Sequence, residues 1–230
     1  MEKILLKKQN GHEIPCIAEF PEGMKKLVIV IHGYDSSKES ENAANLMRNL
    51  PGKGFGVIAY DQPNHGSEQA AEEELTVWNC ADSLARVEEY VTERFTDLDL
   101  CYFGSSFGAY ILGIYLATRP HKGRKAFMRC AAVNFPELAE DEGVEDADLP
   151  DLFELFDRAK PEDVEMAFAH GECDSTVKVE AVIEFTKRFG YPLTVFPGEE
   201  HPICTYPENP GKVAELSVKL YNGDSGKFEI

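Results

Sequence analysis

Short apolar runs alternate with longer stretches of helical spacing along this chain of 230 residues. Residues 26–31 (KLVIVI) are β-branched and almost continuously apolar, as expected of a strand buried on both faces of a sheet. Similar runs predict further strands at residues 56–60, 98–103, 126–133, 164–169 and 192–196. Residues 3–20 are predicted to add one or two antiparallel edge strands.

Helical patterns occupy the spaces between the predicted strands. Leu84, Val87 and Val91 recur at helical spacing, and a similar pattern over residues 213–220 predicts an amphipathic helix near the end. Residues 107–117 are apolar nearly all round, which predicts a buried helix. Alternating strands and helices are typical of an α/β protein, whose mostly parallel sheet is flanked by helices on both faces.

One segment, at about residues 134–160, departs from this alternation. It is dense in acidic residues, namely Glu137, Glu140, Asp141, Glu142, Glu145, Asp146 and Asp148. Leu152 and Phe156 are among its apolar anchors. Two interpretations stay open: a solvated loop with one surface helix, or a short cap over the end of the sheet. We expect residues 1–230 to form a single domain with this segment as a cap-like insertion.

The composition restricts the possible partners. The formal net charge of −18 disfavours nucleic acids and anionic membranes, which are themselves polyanions. Six cysteines are scattered without C-x-x-C spacing: Cys16, Cys80, Cys101, Cys130, Cys173 and Cys204. No apolar run approaches the roughly 20 residues of a membrane-spanning helix, and the start lacks the pattern of a signal peptide. We therefore expect a cytoplasmic protein without membrane insertion.

Residues 104–108 (GSSFG) form a G-x-S-x-G pattern between a predicted strand and a predicted helix. A serine in this context lies on a sharp turn, and its hydroxyl projects above the sheet. The flanking glycines allow strand and helix to pack closely, and the helix N-terminus favours the negative charge of a tetrahedral intermediate. The pattern predicts Ser106, rather than Ser105, as a nucleophile; the alternative is a tight glycine turn with an idle serine.

A serine nucleophile needs a base, and six histidines compete for that role: His12, His32, His65, His121, His170 and His201. In sheets that carry such a turn, the chain order is serine, acid, histidine. His201 follows the last predicted strand and Asp174 follows the preceding one, at strand ends where catalytic groups of open α/β sheets gather. We predict His201 as the base and Asp174 as the acid that orients its imidazole.

Three glutamates lie close to these positions in sequence. Glu172 precedes Asp174 in the strand-end turn and is the most serious rival for the role of acid. Glu199 and Glu200 directly precede His201. Because adjacent side chains rarely point at one another usefully, we interpret both as solvated.

An oxyanion hole is predicted from two backbone N–H groups. One belongs to Phe107, directly after the nucleophile, and the other to Tyr34, in the loop that follows residues 26–31. Tyr34 and Phe135 are candidates to line the substrate pocket. A tyrosine at such a position is also typical of simple packing.

These motifs occur in a fixed order along the chain: residues 32–40 (HGYDSSKES), 61–66 (DQPNHG), 104–108, 170–174 (HGECD) and 201–202 (HP). The set resembles the α/β-hydrolase superfamily over roughly residues 25–220. Within it, the chain is most similar to small bacterial esterases grouped with cinnamoyl (feruloyl) esterases, monoacylglycerol lipases and serine aminopeptidase-like hydrolases. The resemblance implies an α/β-hydrolase fold, a triad of Ser106, Asp174 and His201, and oxyanion donors at Tyr34 and Phe107.

Two features depart from this family. Asn64 stands where such proteins often have glycine, and because asparagine tolerates a left-handed backbone we expect the turn to survive. The segment between Ser106 and Asp174 is shorter than in members with a full helical cap. Since the cap usually shapes the pocket, aromatic-acid specificity is not carried over.

The leading hypothesis is hydrolysis of a small-molecule carboxylic ester through an acyl-serine intermediate. A peptidase, thioesterase or acyltransferase would use the same residues, because the pocket selects the leaving group. A non-catalytic binding protein on a hydrolase scaffold is the third alternative. We expect no metal and no organic cofactor, because no ligand cluster or phosphate loop is visible in the sequence.

Overall fold

The computed structural model describes residues 1–66, 70, 72–141 and 149–224. Within these ranges there are eight strands, β1 to β8 in chain order, which span Glu2–Lys7, Glu13–Glu19, Lys26–Ile31, Phe55–Tyr60, Asp99–Ser105, Lys125–Arg129, Glu165–Gly171 and Leu193–Phe196. The same part of the chain contains seven α-helices, α1 to α7, which span Glu41–Asn49, Val77–Arg94, Phe107–Thr118, Phe135–Asp141, Leu152–Ala159, Val179–Phe189 and Asn209–Tyr221. A 3₁₀ turn at Pro51–Lys53 leads into β4.

The strands form one sheet in the order β1-β2-β4-β3-β5-β6-β7-β8. The pairs β1–β2 and β2–β4 are antiparallel, and all the other neighbours are parallel. The chain passes from β3 to β4 on one side and then returns to β5 on the other side of β3. The carboxyl ends of β3 and β5 therefore meet where the strand order reverses, which is the usual place for a ligand site in an open α/β sheet.

Both faces of the sheet are covered, as the alternation of side chains along β3 illustrates. Leu27, Ile29 and Ile31 join the apolar core beneath α2, α3, α5 and α6. Val28 and Val30 point the other way, into the core beneath α1 and α7. Because successive side chains of a strand face opposite sides, a strand covered by helices on both faces must be apolar throughout.

The predicted strands and the buried helix α3 are confirmed, with one strand ending too late. The strand predicted at residues 126–133 is wrong at its carboxyl end, because β6 stops at Arg129. Cys130 has a φ of 45°, which breaks the extended backbone, although residues 130–133 remain buried. An apolar run reports burial rather than conformation. The sequence patterns also do not predict α1 or α6.

The acidic segment at residues 134–160 contributes α4 and α5, whereas residues 142–148 lie outside the described residues. Leu152 and Phe156 are buried against α3, near Gly113. The Tyr110 hydroxyl donates a hydrogen bond of 2.8 Å to the carbonyl oxygen of Pro150. The α5 half of the segment thus packs into the main core, and the cap-like insertion stays a prediction. Over the described ranges, every helix is too short or too polar to span a bilayer.

Candidate active site

Ser106 lies between β5 and α3 with a φ of 54° and a ψ of −119°. A non-glycine residue rarely adopts a positive φ, and such strain clusters at functional sites. A Cβ at Gly104 would lie 2.7 Å from Cα of Ala109, and one at Gly108 would lie 2.7 Å from the carbonyl carbon of Ile31. Both glycines therefore permit α3 to approach β3 and β5 closely, which holds Ser106 at the carboxyl edge of the sheet.

The structure brings Ser106, His201 and Asp174 together. Nε2 of His201 lies 2.9 Å from Oγ of Ser106. Nδ1 of the same ring lies 2.7 Å from Oδ2 of Asp174. The His201 side chain is 22% exposed and the Asp174 side chain 0%, so the imidazole lies between the half-buried Ser106 and a buried carboxylate.

The hydrogen-bond partners determine where the protons lie. An ionised carboxylate only accepts, so Nδ1 of His201 donates to Asp174, and Nε2 accepts the Ser106 hydroxyl. Burial by itself raises the pKa of Asp174, but hydrogen bonds from His170 and His201 outweigh it and lower that pKa well below its ordinary range. Asp174 is therefore ionised at neutral pH, and it stabilises a positive charge on His201.

Asp174 has more partners than a triad requires. Its Oδ1 accepts hydrogen bonds from the backbone N–H groups of Thr176, at 3.0 Å, and Val177, at 2.8 Å. Its Oδ2 also lies 3.1 Å from Nε2 of His170, which is 2.7 Å from the carbonyl oxygen of Val177. The Asp174 carboxylate and the Val177 carbonyl oxygen can only accept hydrogen bonds, so Nε2 of His170 carries a proton. His170 is one of the six candidate bases in the sequence, and its contact with Asp174 is not predicted there.

Cys130, His170 and Asp174 have potential metal-ligand atoms within 4.8 Å of one another. All three residues are buried. Burial raises the pKa of Cys130 to about 12, whereas a cysteine binds metal as the thiolate. The Asp174 oxygens already accept bonds from two amides and two imidazoles. These three described residues are therefore better suited to hold Asp174 in place than to bind a metal. The expected lack of a cofactor stays a prediction.

The two predicted oxyanion donors flank Ser106. A Cβ at Gly33 would lie 3.3 Å from Cβ of Ser106, so the backbone that leads into Tyr34 passes beside the nucleophile. Phe107 is the first residue of α3, where the N–H has no partner within the helix. Across the described residues, neither N–H donates to a protein acceptor. Both are therefore available to an oxygen of a ligand.

His32 holds the start of the loop that carries Tyr34. Its Nε2 accepts a hydrogen bond of 3.1 Å from the N–H of Gln62, so Nδ1 carries the proton and donates to the carbonyl oxygen of Gly33 at 2.7 Å. The Gln62 side chain donates to the carbonyl oxygen of His32 at 2.7 Å. Burial lowers the pKa of His32 to about 4, so this ring is neutral at physiological pH. Asn64, in the next loop, has a φ of 55°, the left-handed backbone expected from the sequence.

An aromatic group borders the nucleophile. The Phe107 ring lies 5.8 Å from the Tyr34 ring and 4.8 Å from the Phe135 ring, measured between centroids. Tyr110 also packs on Phe135, at 4.8 Å. Tyr34 is 48% exposed, so its ring lies between the site and solvent. Both predicted pocket residues therefore adjoin Phe107, and their role in the pocket stays a prediction.

The interpretation of Glu199 as solvated is wrong, because its side chain is fully buried. Its carboxylate accepts hydrogen bonds from the N–H groups of Thr205 and Tyr206, at 2.8 and 3.0 Å, and from the Asn209 amide at 2.6 Å. Burial raises its pKa, but these bonds outweigh it and lower that pKa. Glu199 is buried because the loop folds over it and supplies donors that themselves need an acceptor.

The other two glutamates lie away from the imidazole. Glu172 is exposed and accepts a hydrogen bond of 2.9 Å from the N–H of Gly198. Glu200 is exposed and lies 3.4 Å from the Ser175 hydroxyl. The carboxylate on His201 is therefore that of Asp174 and not that of its rival Glu172.

The fold and this arrangement at the end of its central strands define a class of protein. Residues 26–175 match the family described as alpha/beta hydrolase fold, and the chain belongs to that family. A search of curated protein sequences gives no match.

Several solved structures share the whole architecture at low sequence identity. Est1E from Butyrivibrio proteoclasticus superposes with a TM-score of 0.78 at 17% identity, covering 98% of this chain and 99% of that one. The Pyrococcus furiosus esterase Pf2001 gives a TM-score of 0.73 at 20% identity, covering 96% and 92%. XC6422 from Xanthomonas campestris, described as an a/b serine hydrolase without lid, gives 0.69 at 18% identity, with 96% and 92% coverage. Identities this low establish the common fold alone.

Proposed function

We propose that this protein is a serine hydrolase that cleaves a carboxylic ester of a small molecule through an acyl-serine intermediate. The observation that carries the proposal is the hydrogen-bonded series from Ser106 through His201 to Asp174, with distances of 2.9 and 2.7 Å. The series starts at a serine on a positive-φ turn at the head of a helix. This is the geometry of an activated nucleophile, its base and the group that orients the base.

The proposed reaction has two halves. Oγ of Ser106 attacks the carbonyl carbon of the ester while Nε2 of His201 takes the hydroxyl proton, and the N–H groups of Tyr34 and Phe107 hold the oxyanion. His201 then protonates the departing alcohol, which leaves an acyl-serine. In the second half, His201 takes a proton from water, the hydroxide attacks the acyl group, and the acid leaves as Ser106 regains its proton. Ionised Asp174 stabilises the imidazolium in both halves.

The comparisons add support for an ester as the substrate. The family groups hydrolases of this fold, and two of the structural neighbours are described as an esterase and a serine hydrolase. The leaving group is selected by the pocket rather than by the triad. A panel of matched oxoester, thioester and peptide substrates therefore separates the proposed esterase from a thioesterase or peptidase.

The first experiment is labelling with a fluorophosphonate probe, followed by mass spectrometry of the modified peptide. We expect a single adduct on Ser106, which is absent from Ser106→Ala and His201→Ala. On a short-chain nitrophenyl ester, Ser106→Ala should lower kcat by about 10³-fold or more. Replacement of the exposed Ser175 by alanine is the matched control and should retain labelling and turnover. An active, correctly folded Ser106→Ala variant would refute the proposal.

A further inference from the structure

Arg129 is a buried cation beside the site, and the reaction above assigns it no role. It is the last residue of β6 and only 4% exposed. Although the chain has 41 acidic residues, no carboxylate in the described ranges pairs with its guanidinium. Burying an arginine away from water is costly unless its donors find good partners. The hydrogen-bond partners of the Arg129 guanidinium therefore indicate its role.

Those partners lie on the two segments that carry the proposed nucleophile and the proposed base. One guanidinium nitrogen, Nη1, donates a hydrogen bond of 2.5 Å to Oγ of Ser105. The other, Nη2, donates a bond of 2.9 Å to the backbone carbonyl oxygen of His201. The backbone carbonyl oxygen of Arg129 accepts the N–H of Ser106 at 2.9 Å. One residue thus contacts the nucleophile, its preceding neighbour and the base.

We propose that Arg129 is a positioning residue that locks the loop carrying His201 onto the end of β5. The inference rests on the proposed function of Ser106 and His201. The Glu199 side chain fastens this loop to its own later residues, and the N–H of Cys173 ties it to the end of β7 through the carbonyl oxygen of Glu199, at 2.8 Å. Arg129 ties it to the side on which the nucleophile lies.

The chemistry of arginine suits this role. The planar guanidinium presents several N–H donors in a fixed fork, so it reaches two acceptors on different segments at once. A lysine ammonium on a flexible stem reproduces the charge but not this geometry. The lock matters for catalysis because a displacement of about 1 Å between reacting groups costs about 100-fold in rate.

The test compares Arg129→Met, Arg129→Lys and Arg124→Met. Arg124 precedes the same strand but is exposed and pairs with Asp163 at the surface, so its replacement is the matched control. We expect Arg129→Met to lower kcat by about 10- to 100-fold with KM within about threefold, because the lock orients the base and does not bind substrate. Arg129→Lys should recover part of kcat, and Arg124→Met should equal the wild type.

Two further measurements separate positioning from general damage to the fold. Amide hydrogen exchange should accelerate over residues 197–206 in Arg129→Met, with β3 and α3 unchanged. In a His201→Ala background, Arg129→Met should change the residual rate of ester hydrolysis by less than about twofold, because the group that it positions is gone. If Arg129→Met does not fold, Arg129→Lys carries the same comparisons.

A kcat within about twofold of the wild type would overturn the inference. Lowered kcat with unchanged exchange over residues 197–206 would also overturn it. Ser106→Ala is run in the same assay: if it stays active, the proposed function fails, and the exchange measurement still tests the lock. If Ser106→Ala is inactive and Arg129→Met is fully active, only the positioning role fails.

Discussion

The nucleophile and the base of this site are held by two different kinds of structure. Ser106 is held by its neighbours in sequence, since the turn ends a central strand, starts a buried helix and is flanked by Gly104 and Gly108. His201 lies in the stretch between β8 and α7, outside any helix or strand. It is held by side chains that are distant in sequence, among them Asp174, 27 residues away, and Arg129, 72 residues away.

This difference implies different failure modes. The turn at Ser106 is part of the core, so a change that spoils it should spoil folding. The His201 loop is a set of separate hydrogen bonds at the edge of the sheet, so losing one should reduce activity before it reduces stability.

Asp174→Asn tests the hydrogen bond that orients His201 in its loop. The amide has the shape of the carboxylate but neither its charge nor its fixed acceptors, so the imidazole of His201 is free to adopt the wrong tautomer. We expect kcat to fall by about 10³- to 10⁴-fold. The free energy of unfolding should fall by about 1–3 kcal/mol, because one amide oxygen replaces a carboxylate that serves four donors. The control is Asp157→Asn, at an exposed aspartate paired with Arg188 on the surface. A loss of less than tenfold would mean that another group orients His201.

Gly108→Ala tests the close packing that holds the turn at Ser106. The added Cβ would overlap the backbone carbonyls of Ile31 and His32, which cannot move without shifting β3. We expect the free energy of unfolding to fall by about 3 kcal/mol or more, with activity lost in proportion to the unfolded fraction. The matched control is Gly211→Ala in α7, where a Cβ meets nothing within 4 Å. If denaturant titration gives Gly108→Ala the same free energy of unfolding as the wild type, this account of the turn is wrong.

The pH dependence of stability tests His32, which holds the loop beside the turn. Its pKa in the folded protein is about 4, below the roughly 6.5 of an unfolded histidine, so the unfolded chain binds more protons between these values. Stability should therefore decrease as the pH falls from about 6.5 to about 4, by up to about 3 kcal/mol from this group. The decrease should be shallower in His32→Gln. Equal slopes in urea titrations of the two proteins would rule out His32 as the source.

Glu199→Gln should have a modest effect on the loop that carries His201. The amide retains one acceptor oxygen where the carboxylate now serves three donors. We expect a loss of about 1–2 kcal/mol in unfolding free energy and a severalfold decrease in kcat. Glu200→Gln, at the exposed neighbour, is the control and should match the wild type in both measurements. If the two variants behave alike, the burial of Glu199 does not support the loop.

The turn that carries Ser106 and most of the sheet follow from local patterns in the sequence. Continuous apolar runs predict buried strands, and a helix that is apolar all round must be covered on all sides, as α3 is. The G-x-S-x-G pattern predicts the turn, since both glycines act on atoms close to them in the fold's local strand–turn–helix unit. The chain order of serine, acid and histidine then selects Asp174 and His201 for the places where the structure brings them together.

The contacts that hold the loop carrying His201 form only when distant segments meet in the folded protein. Nothing local distinguishes buried Glu199 from exposed Glu200. No pattern marks Arg129 as a neighbour of the site, and the 170–174 motif does not predict that His170 contacts Asp174. The same limit explains the strand predicted past Arg129, because apolar residues stay buried whether the backbone is extended or turned. Periodicity and glycine requirements act over a few residues, whereas the partner of a buried polar group is chosen by segments that meet only when the sheet has formed.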